Sequence, residues 1–398
     1  MERIHKHLAQ ATFEEKLNTL FDRSQKLKTP IAIWRNPADH VVHVVVQTDK
    51  SNQVIEEIES APLGFIFRPF ETLKPDQNVF IKGDLYITSI DKEIAVDPTV
   101  SDHQVDRFLN AEIQHDHHPA KPRLPKVKLP DDAENKQGYE ALVSRCIQTI
   151  QEGTYQKIVP SRYKVVHLKN DFDPIIEFFK LSNAYTNAFI SLVSTPNHGM
   201  WLGATPELLL SVEDRKKFTT VSLAGTQVIG KDFPLAKAAW TQKEIEEQAM
   251  VSRYIINCFK KIRLREFEEY GPKTVRAGNL AHLKTTFEVD MESVNFPQLG
   301  TVMLELLHPT SAVCGMPMKS AFEFLKEFEG YNRSYYSGYL GPTNVDNDTS
   351  LYVNLRCMQI EGKQATLYAG AGITEDSEPE SEWNETEMKM RTLLNIIQ

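Results

Sequence analysis

The chain has 398 residues, 41% of them hydrophobic and 25% charged, which is ordinary globular composition and enough length for two or three domains or one large α/β unit. Its 54 acidic and 45 basic side chains give a net charge of −9, which argues against a nucleic acid or an anionic membrane as partner. Cys146, Cys258, Cys314 and Cys357 lack CxxC spacing, the start MERIHKHLAQ has no signal-peptide core, and no apolar run is long enough to span a membrane; the expectation is a soluble cytoplasmic protein.

In chain order, ATFEEKLNTLFDR sets Phe13, Leu17, Leu20 and Phe21 on one face and predicts a helix. IAIWRN, HVVHVVVQ, FIFRPF and NVFIKGDLYIT read as strands. Residues 115–132, with four prolines, read as a linker or extended crossing segment. Its His115, His117 and His118 read as solvated, because nothing nearby completes a metal-ligand set. An amphipathic helix is predicted over 138–152. The strand KIVPSRYKVVHL follows it, with Pro160 marking a bulge or an edge. FISLVST, GMWLGATPELLLSVE, KFTTVSLAG and TVRAGNLAHLKTTFEVDM continue as strands around the long helix WTQKEIEEQAMVSRYIINCFKKI. YYSGYLGPTN, SLYVNLRCMQIEG and QATLYAGAGITE form a last strand run, closed by a helix from about Glu380. Strands and helices come in blocks, which favours an α+β antiparallel arrangement over a doubly wound sheet.

Two helices carry paired carboxylates. Glu244 and Glu247 in KEIEEQ, and Glu382 and Glu385 in ESEWNETEMK, are spaced i,i+3 and share a helix face. Each pair alone reads as a solvated face, and a Glu385–Lys389 pair there is worth only about 0.3–0.5 kcal/mol. Facing each other, the two pairs would make a Mg²⁺ site with an open side for an anionic ligand. Lys243 and Lys389 border the pairs. Gly370 and Gly372 in YAGAGI suit either a tight turn or backbone N–H groups approaching an anion. Arg356, between apolar strand residues, wants a carboxylate from the protein or from a substrate.

These pieces, in this order, resemble the chorismate-utilising enzymes, which include isochorismate, salicylate, anthranilate and aminodeoxychorismate synthases. The matching strings are YQKIVPSR, GATPELLL, LAGT, KEIEEQ, GNLAHLKTTFE, HPTSAVCGMP, YYSGYLGP, VNLRC, YAGAGI and ESEWNETEMK, which cover 138–398. Residues 1–137 carry no matching motif and read as the variable N-terminal part of the same unit. The resemblance implies two antiparallel sheets with flanking helices, the fold of anthranilate synthase component I, with the active site in a cleft between them. It also implies a Mg²⁺ gripping the ring carboxylate of chorismate. Glu247 and Glu385 would hold it directly, and Glu244 and Glu382 through water. Tyr336, Arg356 and the Gly370–Gly372 backbone would take the enolpyruvyl carboxylate, Lys389 would reach the substrate, and Gly225, Thr226 and His282 would line the ring.

Within that family, Lys157 resembles the general base of the water-adding members and Glu207 the general acid. A free lysine titrates near about 10.4, so Mg²⁺ and burial would have to lower it. HPTSAVCGMP resembles the HPTPA version of isochorismate synthases, with Ala312 leaving room for water. The implied activity is a Mg²⁺-dependent isochorismate synthase, an isomerase feeding menaquinone or catechol siderophore synthesis. Salicylate synthase and a catalytically inactive binding relative are the alternatives. No amidotransferase subunit is required, and a monomer is expected. Gln248, Gln227 and Pro160 depart from the family pattern.

Overall fold

The computed structural model describes residues 11–51, 53–91, 93–110, 132–230, 233–277 and 280–398; His115, His117 and His118 lie outside the described residues, as does the linker-like segment up to residue 131. The chain begins with helix α1 (Phe13–Leu27) and strands β1 (Ile31–Arg35), β2 (Val42–Val46), β3 (Gly64–Arg68), β4 (Val79–Lys82), β5 (Leu85–Thr88) and β6 (Ala95–Val96). Helices α2 (Asp102–Asn110) and α3 (Asp132–Gln151), strands β7 (Lys157–Ile158) and β8 (Ser161–His167), and helix α4 (Pro174–Ala184) follow. Strands β9 (Phe189–Thr195), β10 (Gly199–Thr205), β11 (Leu208–Glu213) and β12 (Lys217–Val228) lead to helix α5 (Gln242–Lys261). Then come β13 (Glu268–Ala277), β14 (Leu280–Asp290), α6 (Leu299–Leu307), β15 (Gly315–Met316) and α7 (Met318–Phe328). Strands β16 (Tyr339–Thr343), β17 (Thr349–Val353), β18 (Cys357–Glu361) and β19 (Gln364–Gly370) precede the terminal helix α8 (Pro379–Ile397).

The strands form a nine-stranded sheet, β6-β5-β2-β1-β9-β10-β18-β19-β8, and an eight-stranded sheet, β13-β14-β12-β11-β17-β16-β3-β4, with β15 and β7 paired apart. Period-two alternation explains how they stack. On β1, Ala32 and Trp34 face the second sheet, while Ile31 and Ile33 face a helical layer. Between the sheets lies an aromatic core in which Phe67 stacks on Tyr335 (ring centroids 3.8 Å apart) and Phe189 on Tyr352 (4.1 Å). Burying each such ring stabilises the fold by roughly 1.5–3 kcal/mol. The outer face of the nine-stranded sheet packs on α1, α2, α4 and α8, and that of the eight-stranded sheet on α3, α5, α6 and α7. The result is the expected α+β architecture of two antiparallel sheets with flanking helices.

Residues before 111 are woven into both sheets: β1 pairs with β9, and β3 with β16. Helix α1 starts at a capping box, with Glu15 N donating to Thr12 Oγ1 (3.3 Å) and Thr12 N to Glu15 (2.8 Å). Four cysteines are buried and free. No helix among the described residues is long and apolar enough to cross a membrane.

Several strings that read as single strands are divided between the sheets. NVFIKGDLYIT breaks at Gly83, with β4 in one sheet and β5 in the other; a Cβ at Gly83 would lie 2.2 Å from the Leu63 side chain. GMWLGATPELLLSVE breaks at Pro206–Glu207, and SLYVNLRCMQIEG at Asn354–Arg356. KIVPSRYKVVHL breaks at Val159–Pro160, and β8 is an edge strand. TVRAGNLAHLKTTFEVDM stays within one sheet but folds back on itself as a hairpin, β13 and β14. Each break moves the chain to a new layer, and three of the breaks deliver residues to one cavity.

Candidate active site

Where the two sheets part, a cavity of about 260 Å³ opens between α5 and α8. It is lined by Lys157, Glu207, Gly225, Glu244, Glu247, His282, Ala312, Tyr336, Arg356, Gly370, Gly372, Glu385 and Lys389. Of the residues singled out in the sequence, Glu382 is buried beside the cavity without lining it, and the Thr226 side chain lies outside the described residues.

Lys157 is held at the centre of a knot. Its strand β7 pairs with β15, Val159 N donates to Cys314 O (3.0 Å), and Ile158 and Ile373 exchange backbone bonds (2.8 and 3.2 Å). The HPTSAV loop and the segment after YAGAG are thereby fixed to the same two residues. Beneath them, the buried Arg333 donates to Val159 O and Val313 O, each at 2.7 Å. Glu329 pairs with Arg333 (2.7 Å) and accepts from Ser161 N (2.6 Å) and Ser161 Oγ (2.7 Å). Sequence reasoning missed this clamp. The signal was the i,i+4 spacing of Glu329 and Arg333 in EGYNR.

The Lys157 ammonium lies 2.5 Å from Glu247 Oε1. Gly372 makes room for the pair, since a Cβ there would be 2.6 Å from Lys157 Cε and 3.2 Å from Glu247 Oε1. Burial alone would raise the Glu247 carboxyl, but Lys157, Lys389 and Lys243 override it and hold Glu247 below the ordinary carboxylate value. On α8, Lys389 lies 2.6 Å from Glu385 and donates to Gly370 O (2.8 Å). Glu385 is likewise held low, burial being outweighed chiefly by Lys389.

Glu207 sits at the β10–β11 crossover. Val353 N donates to its carbonyl (2.9 Å), and Glu207 N donates to Thr205 Oγ1 (3.3 Å). Its carboxyl faces the cavity and is pushed up to about 7 by burial, against the pull of Arg356, Lys157 and Lys389. Arg356 occupies the other crossover with φ +48°, left-handed backbone that costs a non-glycine residue on the order of 1 kcal/mol or more. Among the described residues no carboxylate lies within ion-pair distance of its guanidinium. Burial lowers its pKa. A guanidinium held in a cavity without a partner suits an anionic ligand.

Tyr336 is buried, with its phenol pushed up to about 12 by burial. Gly370 approaches it closely: an added Cβ would be 3.2 Å from its hydroxyl and 2.8 Å from Pro160 O. His282 Nδ1 lies 3.0 Å from Gly225 O, and burial and then Arg356 bring the ring down to about 4, so it is neutral at pH 7. Both glutamine departures have structural work. Gln248 accepts from Ala224 N (3.0 Å) and donates to Thr285 Oγ1 (2.9 Å), stitching α5 to β12 and β14. Gln227 donates to Glu244 Oε2 (3.2 Å).

Glu247 and Glu385 reach the cavity from facing helices and supply hard oxygen donors. Glu244 caps its own helix through Thr241 N (2.8 Å), and Glu382 lies 3.6 Å from Lys243. Among the described residues no three His, Cys, Asp or Glu side chains are gathered closely enough to cage an ion. Two carboxylates beside an open cavity fit an ion such as Mg²⁺, which keeps waters and takes further oxygens from substrate.

Fold and cavity together bring a lysine, an arginine and a raised carboxyl around one space, with acidic helices at its rim. A family model described as chorismate binding enzyme matches residues 70–398, starting well inside the stretch that showed no motif. Isochorismate synthase DhbC of Bacillus subtilis (strain 168) is 30% identical over 286 residues, 68% of this chain and 69% of that protein. Isochorismate synthase EntC of Escherichia coli (strain K12) is 27% identical over 264 residues, 65% of this chain and 66% of that protein. The solved structure of MenF, the menaquinone-specific isochorismate synthase from Escherichia coli, superposes with a TM-score of 0.77 at 20% identity, covering 100% of this chain and 98% of that one. The chain belongs to the chorismate-binding enzyme family.

Proposed function

We propose that this protein is an isochorismate synthase that converts chorismate to isochorismate. The observation that carries the reading is the pairing of Lys157 and Glu207 in one cavity, a lysine on a rigid two-residue strand and a carboxyl that stays protonated to about pH 7. Water adds to C2 of the ring and gives its proton to Lys157, which acts as the neutral amine after it has parted from Glu247 and lost its ammonium proton to bulk water. The C4 hydroxyl departs as water with the proton of Glu207, so the atoms balance. Arg356, Tyr336 and the Gly370–Gly372 backbone orient the enolpyruvyl carboxylate; Gly225 and neutral His282 border the ring. Mg²⁺, held by Glu247 and Glu385 with Glu244 and Glu382 acting through water, would supply the counter-charge for the ring carboxylate. Ala312 contributes a small apolar wall with no hydroxyl. The test is purified protein with chorismate and Mg²⁺, products separated by chromatography: isochorismate is expected, and salicylate as the main product would overturn the assignment.

Arg356→Lys should raise KM for chorismate roughly tenfold and change kcat less, because an ammonium cannot replace a bidentate guanidinium–carboxylate contact. Steady-state kinetics check it; an unchanged KM would make Arg356 a structural residue.

A further inference from the structure

Next to the main cavity lies a separate chamber of about 20 Å³, whose lining has Glu207, Leu223 and Ala312 in common with it. Its far wall includes Thr310 and Ser311, from the same string as Ala312. The rest of the wall is mostly apolar, with Leu209, Val251, Ile255 and Leu307. Ser311 is wholly buried, and neither Ser311 Oγ nor Thr310 Oγ1 has a hydrogen-bond partner. The other polar groups here are committed elsewhere: Thr220 Oγ1 donates to Leu209 O (2.7 Å) and Tyr254 OH to Leu306 O (2.8 Å).

Two unpartnered hydroxyls in a space of this size meet the conditions for one ordered water, which needs about 10–15 Å³ and two to four polar neighbours. Glu207 is the remaining polar neighbour. We propose that Thr310 and Ser311 hold a single water against the Glu207 carboxyl and act as positioning residues for the proton donor. This rests on the reading of Glu207 as the general acid. A water both donates and accepts, so it serves the carboxyl before and after it gives up its proton. Ser311 stands where the HPTPA version has proline, so this chain adds a hydroxyl at that point.

On its open side Glu207 faces Arg356, Lys157 and Lys389, which favour the carboxylate, and Glu247, which opposes it. The chamber side offers no charge among the described residues, so solvation there comes from the hydroxyls and their water. Removing a hydroxyl strips solvation from the carboxylate and stabilises the protonated acid.

The test uses the full chain with Ser311→Ala, Thr310→Val and the double variant, each checked for folding by thermal melting. The Glu207 carboxyl band, assigned by its loss in Glu207→Gln, is titrated by infrared difference spectroscopy without substrate, and pH profiles of kcat and KM are recorded alongside. The expected result is an upward shift of about 0.5–1 pH unit in the carboxyl titration. The same shift should appear in the alkaline limb of kcat, with KM unchanged. Thr310→Val, nearly isosteric, guards against loss of packing in Ser311→Ala. An unchanged carboxyl titration in folded variants overturns the proposal, even if kcat drops. If the wild type forms no isochorismate, the functional reading fails, while the carboxyl titration still decides whether the chamber acts on Glu207.

Discussion

Alanine in place of Lys157 or Glu207 is expected to lower kcat by about 10²–10⁴, the usual contribution of a positioned base or acid, while chorismate still binds. The two losses should not add, since a base without its acid partner achieves little. Each residue is fixed by backbone rather than by loop flexibility: Lys157 by β7 and β15, Glu207 by its carbonyl on Val353 and its N–H on Thr205. Truncation should therefore remove chemistry without moving the cavity. Glu207 must be protonated to work, and burial pushes it up to about 7 against three nearby cations. The working form is present below that pH and lost above it, so kcat should fall as pH rises through about 7. Product formation by Lys157→Ala, Glu207→Ala and the double variant, with chorismate binding followed by calorimetry, tests this. A Lys157→Ala protein that forms isochorismate at the normal rate would remove the basis for calling it a water-adding enzyme.

The site was more legible in the sequence than the path of the chain. Spacing alone pointed to the two Glu pairs, and the resemblance of ten ordered strings to one family implied the rest; of the site residues named in these ways, all but Glu382 and Thr226 line the cavity. Strand boundaries were harder, because a chain crossing from one buried sheet to another keeps its apolar, β-branched character. GATPELLL and VNLRC read as unbroken strands, yet the crossovers inside them carry Glu207 and Arg356. Helices α6 and α4 went unread: α6, LGTVMLELL, has little polar face to betray a period, and α4 starts at Asp173, whose Oδ1 accepts from Ile175 N (2.8 Å), a cap followed by Pro174 that was passed over. Glu382 shows the limit of spacing. It shares a helix face with Glu385, but α8 is rotated by its packing on α3 and β19 so that only Glu385 enters the cavity.

That rotation shapes the expected response to loss of the carboxylates. Glu247→Gln or Glu385→Gln should abolish turnover, because each removes a carboxylate that lines the cavity and is not tied up in capping its own helix. Glu244→Gln and Glu382→Gln should cost less: Glu244 already serves as a helix cap, and Glu382 stands behind the wall. Charge sharpens the contrast. Lys157 lies 2.5 Å from Glu247 and Lys389 2.6 Å from Glu385, so both carboxylates are ionised and paired before any ion arrives. A divalent ion must therefore outcompete two ammonium groups for its ligands, which predicts weak binding without substrate and tighter binding once the substrate's carboxylate adds oxygens. Calorimetric titration of Mg²⁺ with and without chorismate, in the wild type and the four variants, reads this directly. Turnover should be lost in excess EDTA and restored by Mg²⁺. Full activity in EDTA, or equal losses from all four glutamine variants, would contradict a site built on Glu247 and Glu385.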